Sequence, residues 1–461
     1  MPDVGASLRV GHFSDLHYST ERLAEADRCL GFAVNDAIHS DCQVGVISGD
    51  ATDHRLDAHT PALCALAERV HQLSGHMPVL MLQGTFLHEP PGTLDIFRLI
   101  GSPFPVYVAD RIHQVALLRG AFFPSAGAIF TQAELDQLLA DGKIDAVFTC
   151  IPTVNKGVLA GVVGTLEAAT ALGDHLAAYL HGVGRVNRWL RGQGVRTIGV
   201  AHGTVNGCLT EHGVPMAGFD HEFTLGALFD AECDAFMLGH IHRTQQWERN
   251  GRVVAYAGSI GCFHYGEEGK KSYLRWEVAP GQARATPIET PARETICVDF
   301  DGPPDMDRLA PIADQAKDKF VRVRWTIDEE HRQLVDREAI RTLFASAAEL
   351  KLDPRVLPAV RSRAEGISRA VTLGEKVTRW CELTGTQAAP LIERLGILVA
   401  LEPQDIADRW LTPLETGADR PAVGGLTEAP AAAPDDPPPC VEQEPSRAQW
   451  LSDDSCAADT A

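Results

Sequence analysis

The stretch Leu8-Arg9-Val10-Gly11-His12-Phe13-Ser14-Asp15-Leu16-His17 decides the fold, because a short apolar run ends there directly on polar side chains. The same pattern returns four times. The other runs and their polar ends are Val44–Ile47 before Ser48-Gly49-Asp50, Val79–Leu82 before Gln83-Gly84-Thr85, residues 197–201 before His202-Gly203, and residues 235–238 before Gly239-His240-Ile241-His242. Such runs, alternating with helical stretches, are typical of a layered α/β domain. Asp and His are costly at strand ends unless something there uses them, so we expect one shared pocket.

Carboxylates and imidazoles gathered in one pocket suit divalent ions such as Mn²⁺, Fe²⁺ or Zn²⁺. Two ions about 3.5–4 Å apart can make hydroxide from water and stabilise charge on a transferring phosphoryl group. Asp50, at the tip of a Gly-Asp loop, is the best candidate for the carboxylate that bridges them. The remaining predicted ligands are Asp15, His17 and His242 for one ion, and His202 and His240 for the other. One Asp-x-His is a weak signal, but the ordered set is a strong one.

Length and composition set broad limits on the protein. A chain of 461 residues exceeds one ordinary core, so we expect two structured domains and additional segments. The formal charge of −21 speaks against nucleic-acid binding through a generally basic surface, although metal ions and a partner would supply some positive charge. The chain shows no membrane-length apolar run and no secretory signal, and its eleven cysteines are scattered singly. We therefore expect a cytoplasmic protein with reduced thiols and no membrane association.

Four segments are predicted along the chain: an α/β catalytic domain over 1–293, a small α+β cap over 294–371, a helical segment over 372–412, and a disordered tail rich in Pro, Ala and acids over 413–461. Within the first, a long amphipathic helix is expected near 164–191, with a break around Gly182–Gly184. The cap is predicted from strands at 295–300 and 320–327 and from a helix at 336–348.

The order Asp-x-His, Gly-Asp, His-Gly, Gly-His-x-His resembles the calcineurin-like metallophosphoesterase superfamily, and within it the SbcD-type DNA repair exonuclease subunit. Four later segments resemble that subunit as well: 256–259, 263–271, 321–325 and 361–367. The resemblance covers roughly residues 8–370, is patchy through 106–195 and is absent from the tail. It implies a four-layer α-β-β-α metallophosphoesterase sandwich that carries two metal ions.

The fourth motif departs from the family pattern of Gly-Asn-His followed by an acid, in which the resemblance implies that Asn binds metal and His faces the phosphate. Here the segment runs Gly84-Thr85-Phe86-Leu87-His88-Glu89, with two additional residues and no Asn. Thr85, or water, is expected to take the place of the amide oxygen. His88 is the candidate proton donor to the leaving oxygen or stabiliser of transition-state charge, alongside the catalytic Asp50. Asp53 stands where nuclease members often carry a His and is a further candidate for metal support.

The leading hypothesis is a DNA phosphodiesterase of SbcD type that uses Mn²⁺, with Fe²⁺, Mg²⁺ and Zn²⁺ as the other metals considered. The resemblance implies a homodimer and a separate SbcC-like coiled-coil ATPase that delivers DNA ends, with 372–412 as its docking segment. A plain core helix pair accounts for 372–412 equally well. The cap would guide the duplex through phosphate contacts from Arg322, Arg324, Arg355, Arg361 and Arg363. For any one of these arginines, a solvated face or a salt bridge is the competing account.

Two alternatives stay open. The first is a phosphodiesterase or phosphatase acting on small nucleotides or phosphoproteins, which the acidic composition favours. The second is a weakly active structural subunit of a nuclease–ATPase complex, because the fourth motif lacks Asn. Retention of the seven Asp and His candidates speaks against an idle site.

Overall fold

The computed structural model describes residues 7–54, 60–154, 165–215, 223–267, 269–357 and 367–406. The chain divides into two compact units, residues 1–359 and 360–461. The first unit holds two large sheets and one small sheet, and the second holds helices.

The first large sheet is built around four parallel strands, β1 (Leu8–Phe13), β2 (Val44–Ile47), β3 (Val79–Leu82) and β4 (Val106–Ala109). Two antiparallel strands, β12 (Ser272–Ala279) and β13 (Gln282–Glu289), extend it beside β1, which gives the order β13-β12-β1-β2-β3-β4. Every residue of β2 and β3 is buried. Strands covered on both faces are nearly continuous apolar runs, and this explains why the sequence pattern located them.

The second large sheet has seven strands: β5 (His113–Leu118), β6 (Ala121–Pro124), β7 (Ile144–Ile151), β8 (Arg196–His202), β9 (Ala235–Gly239), β10 (Gln245–Arg249) and β11 (Arg252–Tyr256). Their order in the sheet is β10-β11-β9-β8-β7-β5-β6. The central strands β7, β8, β9 and β11 are parallel to one another, whereas β5, β6 and β10 are antiparallel to their neighbours. The carboxyl ends of β8 and β9 therefore lie at one edge.

Helices cover the outer faces of both sheets. Helices α1 (Leu23–His39) and α2 (Pro61–Ser74) pack on the first sheet, and the 3₁₀ helix Thr93–Leu99 adds to the same core. Helices α3 (Gln132–Asp141), α4 (Thr165–Gly192) and α5 (Leu225–Asp230) pack on the second. Between the sheets lies a continuous apolar layer that includes Val46, Leu82, Phe148 and Val200. This arrangement confirms the predicted four-layer α-β-β-α sandwich.

The predicted break in the long helix is wrong, because α4 runs through Gly182 and Gly184 without interruption. A Cβ atom at Gly184 would lie 2.1 Å from the backbone oxygen of Asp230, at the end of α5. The glycine therefore permits close packing of two helices rather than a turn.

The cap is a parallel three-stranded sheet, β14 (Thr295–Asp301), β15 (Phe320–Asp328) and β16 (Glu349–Leu357). Helices α6 (Met306–Ala313) and α7 (Arg337–Leu343) cover one face, and a 3₁₀ helix spans Glu329–Leu334. The predicted strands at 295–300 and 320–327 are present, but the helix predicted at 336–348 ends at Leu343. Strand β16 and helix α6 were not predicted, and β16 contains Pro354, a residue that speaks against a strand.

The second unit contains the 3₁₀ helix Ile367–Arg369 and helices α8 (Leu373–Thr384) and α9 (Ala388–Ala400). Thr372 and Glu375 form a capping box at the start of α8, and Gly385 ends it with a positive φ of 71°. The predicted helical segment is thus helical as far as the structure describes it, while the tail at 413–461 lies outside the described residues. The four predicted domain boundaries stay predictions. Among the described helices none is both long and apolar enough to cross a membrane, and the cytoplasmic location stays a prediction.

Candidate metal centre

The predicted ligands come together where the two large sheets meet. Parallel strands bring their carboxyl ends to one edge, so the loops after β1, β2, β8 and β9 converge. The amide of Asp15 donates to the carbonyl of Gly49 at 3.1 Å, which ties the first two loops together. His202 Nδ1 lies 2.8 Å from the Ser48 carbonyl oxygen and joins the second sheet to the first.

Four of the six predicted ligands have a left-handed backbone. The φ angles are 49° at Asp15, 44° at His17, 50° at Asp50 and 99° at His240. Positive φ is uncommon outside glycine and stores strain that the surrounding structure must offset. Residues held in this way at one edge of a fold are typical of a functional site, where the strain aims side chains at a common point.

The structure places the six residues in two groups of three. Asp15, His17 and His242 form one group, and Asp50, His202 and His240 form the other. Within each group, the atoms able to bind a metal lie within 4.8 Å of one another. These are the same two sets that the sequence analysis assigned to two ions. Each set of one carboxylate and two imidazoles suits a divalent ion, and that they bind metal stays a prediction.

The first group suits a cation, because the tautomer of His242 leaves the lone pair of Nε2 directed toward the group. Its Nδ1 lies 3.0 Å from Glu267 Oε1, and a carboxylate only accepts, so Nδ1 carries the proton and Nε2 presents a lone pair. That Nε2 lies 3.0 Å from Nε2 of His17, a separation that requires a cation or a proton between the two nitrogens. Burial opposes the Glu267 charge, but His242 and Lys271 outweigh it and lower the pKa of Glu267 to about 2. Lys271 Nζ lies 2.7 Å from Glu267 Oε2.

In the second group, too, a histidine has its Nδ1 held by a hydrogen-bond acceptor. His202 Nδ1 donates to the Ser48 carbonyl, so its Nε2 faces the group and lies 3.2 Å from Asp50 Oδ2. Burial would lower the pKa of His202, but the Asp50 carboxylate outweighs it and raises this pKa to about 10. A divalent ion would replace that proton, since ligands bind metal in their deprotonated form. Thr85 Oγ1 lies 3.1 Å from Asp50 Oδ2 and 3.2 Å from His202 Nε2, so it contacts two members of the group, and its substitution for the Asn of the family pattern stays a prediction.

His88 lies beside the first group. Its Nδ1 is 2.9 Å from Asp53 Oδ1, and its ring meets the His17 ring edge-on at 4.8 Å. Asp53 also lies 2.6 Å from His54 Nδ1 and 3.9 Å from His17 Nδ1. His17, Asp53 and His88 therefore form a third set of donors that overlaps the first. Asp53 orients His88 and leaves its Nε2 available to a ligand.

Glu89 links the loops after β2 and β3 by hydrogen bonds and is not one of the candidate metal ligands. Its buried carboxylate accepts hydrogen bonds from the amides of Gly84 and Ala51, which precede Thr85 and follow Asp50. Burial and the nearby Asp50 charge raise the pKa of Glu89 to about 7. The His-acid pair of the sequence analysis thus consists of a partly exposed histidine and a buried carboxyl group that holds the two loops.

A series of buried hydrogen bonds runs from Trp276 to the Asp15 carboxylate and holds it in place. Trp276 Nε1 donates to His12 Nδ1 at 3.4 Å, and His12 Nε2 lies 2.8 Å from Ser48 Oγ. Ser48 donates to Ser14 at 2.8 Å, and Ser14 donates to Asp15 Oδ2 at 2.6 Å. Burial lowers the pKa of His12 to about 3, so its ring is neutral and the chain has one direction. The sequence analysis missed this chain, as it missed the roles of Glu267 and Lys271 in a segment that it quoted only as a resemblance.

The predicted phosphate contacts of the cap have different surroundings. Arg324 is paired with Asp353, Nε to Oδ2 at 2.8 Å. Arg322 reaches the ring of Tyr265, with its guanidinium carbon 6.0 Å from the ring centre. Arg355 lies on β16. Arg361 and Arg363 lie outside the described residues.

No protein-family model matches the chain, and no curated protein does. Among solved structures it is similar to GAP50, the anchor in the inner membrane complex of Plasmodium, with 14% identity over 62% of this chain and 85% of that one and a TM-score of 0.39. A dimetal phosphatase from Danio rerio shares 11% identity over 61% of this chain and 98% of its own, with a TM-score of 0.37. A conserved protein of Streptococcus pneumoniae, described as a predicted phosphoesterase, shares 10% identity over 61% and 99%, with a TM-score of 0.22.

Similarities this weak assign neither a family nor an activity to the chain. The layers, the strand order and the two donor groups stand on the structure itself. The fold is a four-layer α-β-β-α sandwich with two groups of Asp and His residues at one edge. The resemblance to metallophosphoesterases, and within them to SbcD-type subunits, stays a prediction.

Proposed function

We propose that the protein hydrolyses phosphodiester bonds and that two divalent metal ions, when bound, would activate the attacking water. The observation that carries the proposal is the pair of Asp-His-His groups at one edge of the sandwich. Each group has an imidazole whose Nδ1 is held by an acceptor, Glu267 for His242 and the Ser48 carbonyl for His202. Such partners fix the tautomer and direct Nε2 toward a metal.

In this proposal Asp15, His17 and His242 would hold one ion, His202 and His240 would hold the other, and Asp50 would contribute to both. When bound, the ions would supply a nucleophilic hydroxide at neutral pH and neutralise charge on the phosphoryl group. The chain itself orients the ligands: the amide of His240 donates to both oxygens of Asp15 at 3.1 Å, and the amide of Thr85 donates to Asp50 Oδ1 at 2.6 Å. These bonds hold the carboxylates in place before substrate binds.

In this proposal His88 assists the leaving group. The hydrogen bond that His88 donates to Asp53, followed by the Asp50 charge, outweighs burial and raises the pKa of His88, which favours its protonated form. A protonated imidazole beside the first group can donate to the departing oxygen or stabilise negative charge on the phosphoryl group. Its side chain is partly exposed, at 22%, so a substrate can reach it.

The finer proposal is DNA as the substrate and Mn²⁺ as the metal, in an SbcD-type exonuclease subunit. The order of the motifs supports it, and so does the cap, which contacts the region of the metal centre through the hydrogen bond from Tyr265 to Glu349 at 2.7 Å. A coiled-coil ATPase partner and a homodimer belong to this same proposal. Size-exclusion chromatography with light scattering tests the dimer, and a mass near 50 kDa would contradict it, since one chain has 49.8 kDa.

A phosphatase or small-nucleotide phosphodiesterase is the second candidate. The pairing of Arg324 with Asp353 favours it, because that arginine is not free for a nucleic-acid backbone. The net charge of −21 points in the same direction.

The test is hydrolysis of linear double-stranded DNA, bis(p-nitrophenyl) phosphate and p-nitrophenyl phosphate by the purified protein with Mn²⁺. We expect Asp50→Asn to abolish turnover, while Asp41→Asn, which removes an exposed carboxylate, serves as the matched control.

Cleavage of DNA and the bis-ester supports the finer proposal. Cleavage of the monoester without DNA supports the second candidate. An unchanged rate in Asp50→Asn would contradict the role of Asp50, and metal binding without any turnover would favour the structural-subunit alternative.

A further inference from the structure

The side chain of His264 lies at the edge of the metal centre and has no task in the proposed function. Its ring stacks on the ring of His242, with 5.4 Å between the ring centres and 13° between the planes. The centre of the His264 ring also lies 6.4 Å from that of the His17 ring, with 67° between the planes. His17 and His242 are two of the three candidate ligands of the first group, so His264 directly borders that group.

The neighbours of His264 speak against a role as a further metal ligand. Its donor atom and those of His242 and Glu267 lie within 4.8 Å of one another, a spacing that could hold an ion. However, His242 Nδ1 donates its proton to Glu267 Oε1, and Glu267 Oε2 is paired with Lys271 at 2.7 Å. Both partners are therefore already engaged, and the ammonium group of Lys271 would repel a second cation. The His264 ring needs a different explanation.

The chain segment around His264 is held in place on both sides. The amide of His264 donates to Glu267 Oε1 at 3.3 Å. Phe263, the residue before it, is buried, and Tyr265, the residue after it, donates its hydroxyl proton to Glu349 at 2.7 Å. The His264 side chain between them stays exposed. The fold thus presents this ring to solvent at a fixed place beside the metal centre.

The ring of His264, and not its nitrogens, makes the contacts that orient it. In the described part of the chain neither ring nitrogen forms a hydrogen bond or an ion pair. His88, His202 and His242 differ, because each has its Nδ1 held by an oxygen acceptor. Such an acceptor fixes the tautomer of a histidine that acts through its other nitrogen. His264 lacks that feature, and an accessible aromatic ring offers instead a flat surface for a second ring.

We infer that His264 stacks on an unpaired nucleobase of the substrate, next to the phosphodiester that is cleaved. Histidine is among the side chains on which proteins stack unpaired bases, whatever the base sequence. The inference rests on the proposed function and narrows its substrate class to nucleotides and single-stranded polynucleotides, since a phosphorylated serine or threonine has no ring to stack.

The experiment compares two substrates in the full-length protein with saturating Mn²⁺. One is the dinucleoside monophosphate dTpdT, and the other has an abasic tetrahydrofuran sugar analogue in place of each thymidine, so that both contain the same phosphodiester. We expect kcat/KM to be at least about fivefold higher for dTpdT, as the usual strength of base stacking requires. This ratio should fall toward one in His264→Leu and stay near the wild-type value in His264→Phe, which keeps an aromatic ring. His331→Leu, which removes an exposed histidine from the cap, is the matched control and should keep the wild-type ratio.

The ratio of the two substrates separates a contact with the base from a structural role. A variant that merely disturbs His242 should lose activity on both substrates equally, so a wild-type ratio in His264→Leu overturns the inference. His264→Gln keeps hydrogen-bonding groups but removes the ring, and we expect its ratio to fall as in His264→Leu. Retention of the ratio in His264→Gln together with its loss in His264→Phe would assign the contact to a ring nitrogen and overturn stacking.

Failure of the inference and failure of the proposed function give different results. A ratio near one in the wild-type protein, with both substrates cleaved, overturns the inference and leaves the proposed function in place. Absence of all cleavage overturns the proposed function, and calorimetric titration with the same two compounds then tests the ring contact. Tighter binding of dTpdT that is lost in His264→Leu supports the contact, whereas equal binding of the two compounds, or a preference that His264→Leu retains, overturns it.

Discussion

The substitution Glu267→Gln should separate the two tasks of one buried carboxylate. Glu267 accepts from His242 Nδ1 at 3.0 Å and pairs with Lys271 at 2.7 Å, with both charged side chains at most 2% exposed. A glutamine keeps an oxygen for His242 but offers no charge to Lys271. We expect the protein to lose both stability and metal affinity, for different reasons.

The expected losses of stability and of metal affinity can be estimated from the burial of Glu267. Removing one partner of a buried ion pair leaves Lys271 without a counter-ion and should lower the free energy of unfolding by about 3–5 kcal/mol. Weakening the group that orients a metal-binding histidine should lower metal affinity about 10–100-fold, or about 1.4–2.8 kcal/mol.

The double variant Glu267→Gln/Lys271→Met distinguishes the two effects, because it removes both charges. Its stability should recover most of the loss, whereas its metal affinity should not. Urea unfolding in chelator measures the first quantity, and calorimetric titration with Mn²⁺ measures the second. The matched control is Glu289→Gln, whose partner Lys270 lies at 2.8 Å on the surface, where a pair contributes at most about 1 kcal/mol.

Two results would refute this reasoning. Wild-type stability in Glu267→Gln would mean that the buried pair is not a net source of stability. Recovery of metal affinity in the double variant would mean that Glu267 acts through charge balance and not through the orientation of His242.

Three further predictions concern the same centre. Gly84→Ala should cost about 3 kcal/mol of unfolding free energy, because a Cβ would lie 2.2 Å from the amide nitrogen of Asp50; Gly101→Ala, with nothing within 4 Å, is the control, and equal urea midpoints would contradict the close approach. Ser14→Ala should cost about 2 kcal/mol in the same assay, since its hydroxyl donates to Asp15 at 2.6 Å, and an unchanged midpoint would show that this bond contributes nothing. Mn²⁺ at 100 times its Kd should add about 2.7 kcal/mol per site, and a melting temperature independent of Mn²⁺ would argue against a metal centre.

The sequence was informative about the ligands because each one directly follows a buried strand. Runs such as Val44–Ile47 are recognisable by their apolar residues, and an Asp or His that directly follows such a run is then identified as a candidate ligand by its position. The partners that orient the ligands carry no such mark. Glu267 lies 25 residues from His242, and Trp276 lies 264 residues from His12, in strands and loops whose sequence does not reveal what they face.

The cap shows the same limit in the fold. Strand β15 was predicted from the alternation of Val321, Val323 and Trp325, which pack against the helices. Strand β16 was missed, and the long helix α4 was wrongly expected to break at its glycines. In both cases the deciding contact is tertiary, the pairing with β15 for the strand and the approach to Asp230 for Gly184.

The sequence by itself determined the α/β layering and the set of six Asp and His residues, because buried parallel strands need apolar residues and bring their carboxyl ends to one edge. Only the tertiary structure decided which nitrogen of His202 and of His242 faces the other ligands and which arginine of the cap is paired with a carboxylate. Those properties depend on single contacts between distant residues, such as His202 with the Ser48 carbonyl and Arg324 with Asp353. A change of register by one residue would alter them without any change in the pattern of the chain.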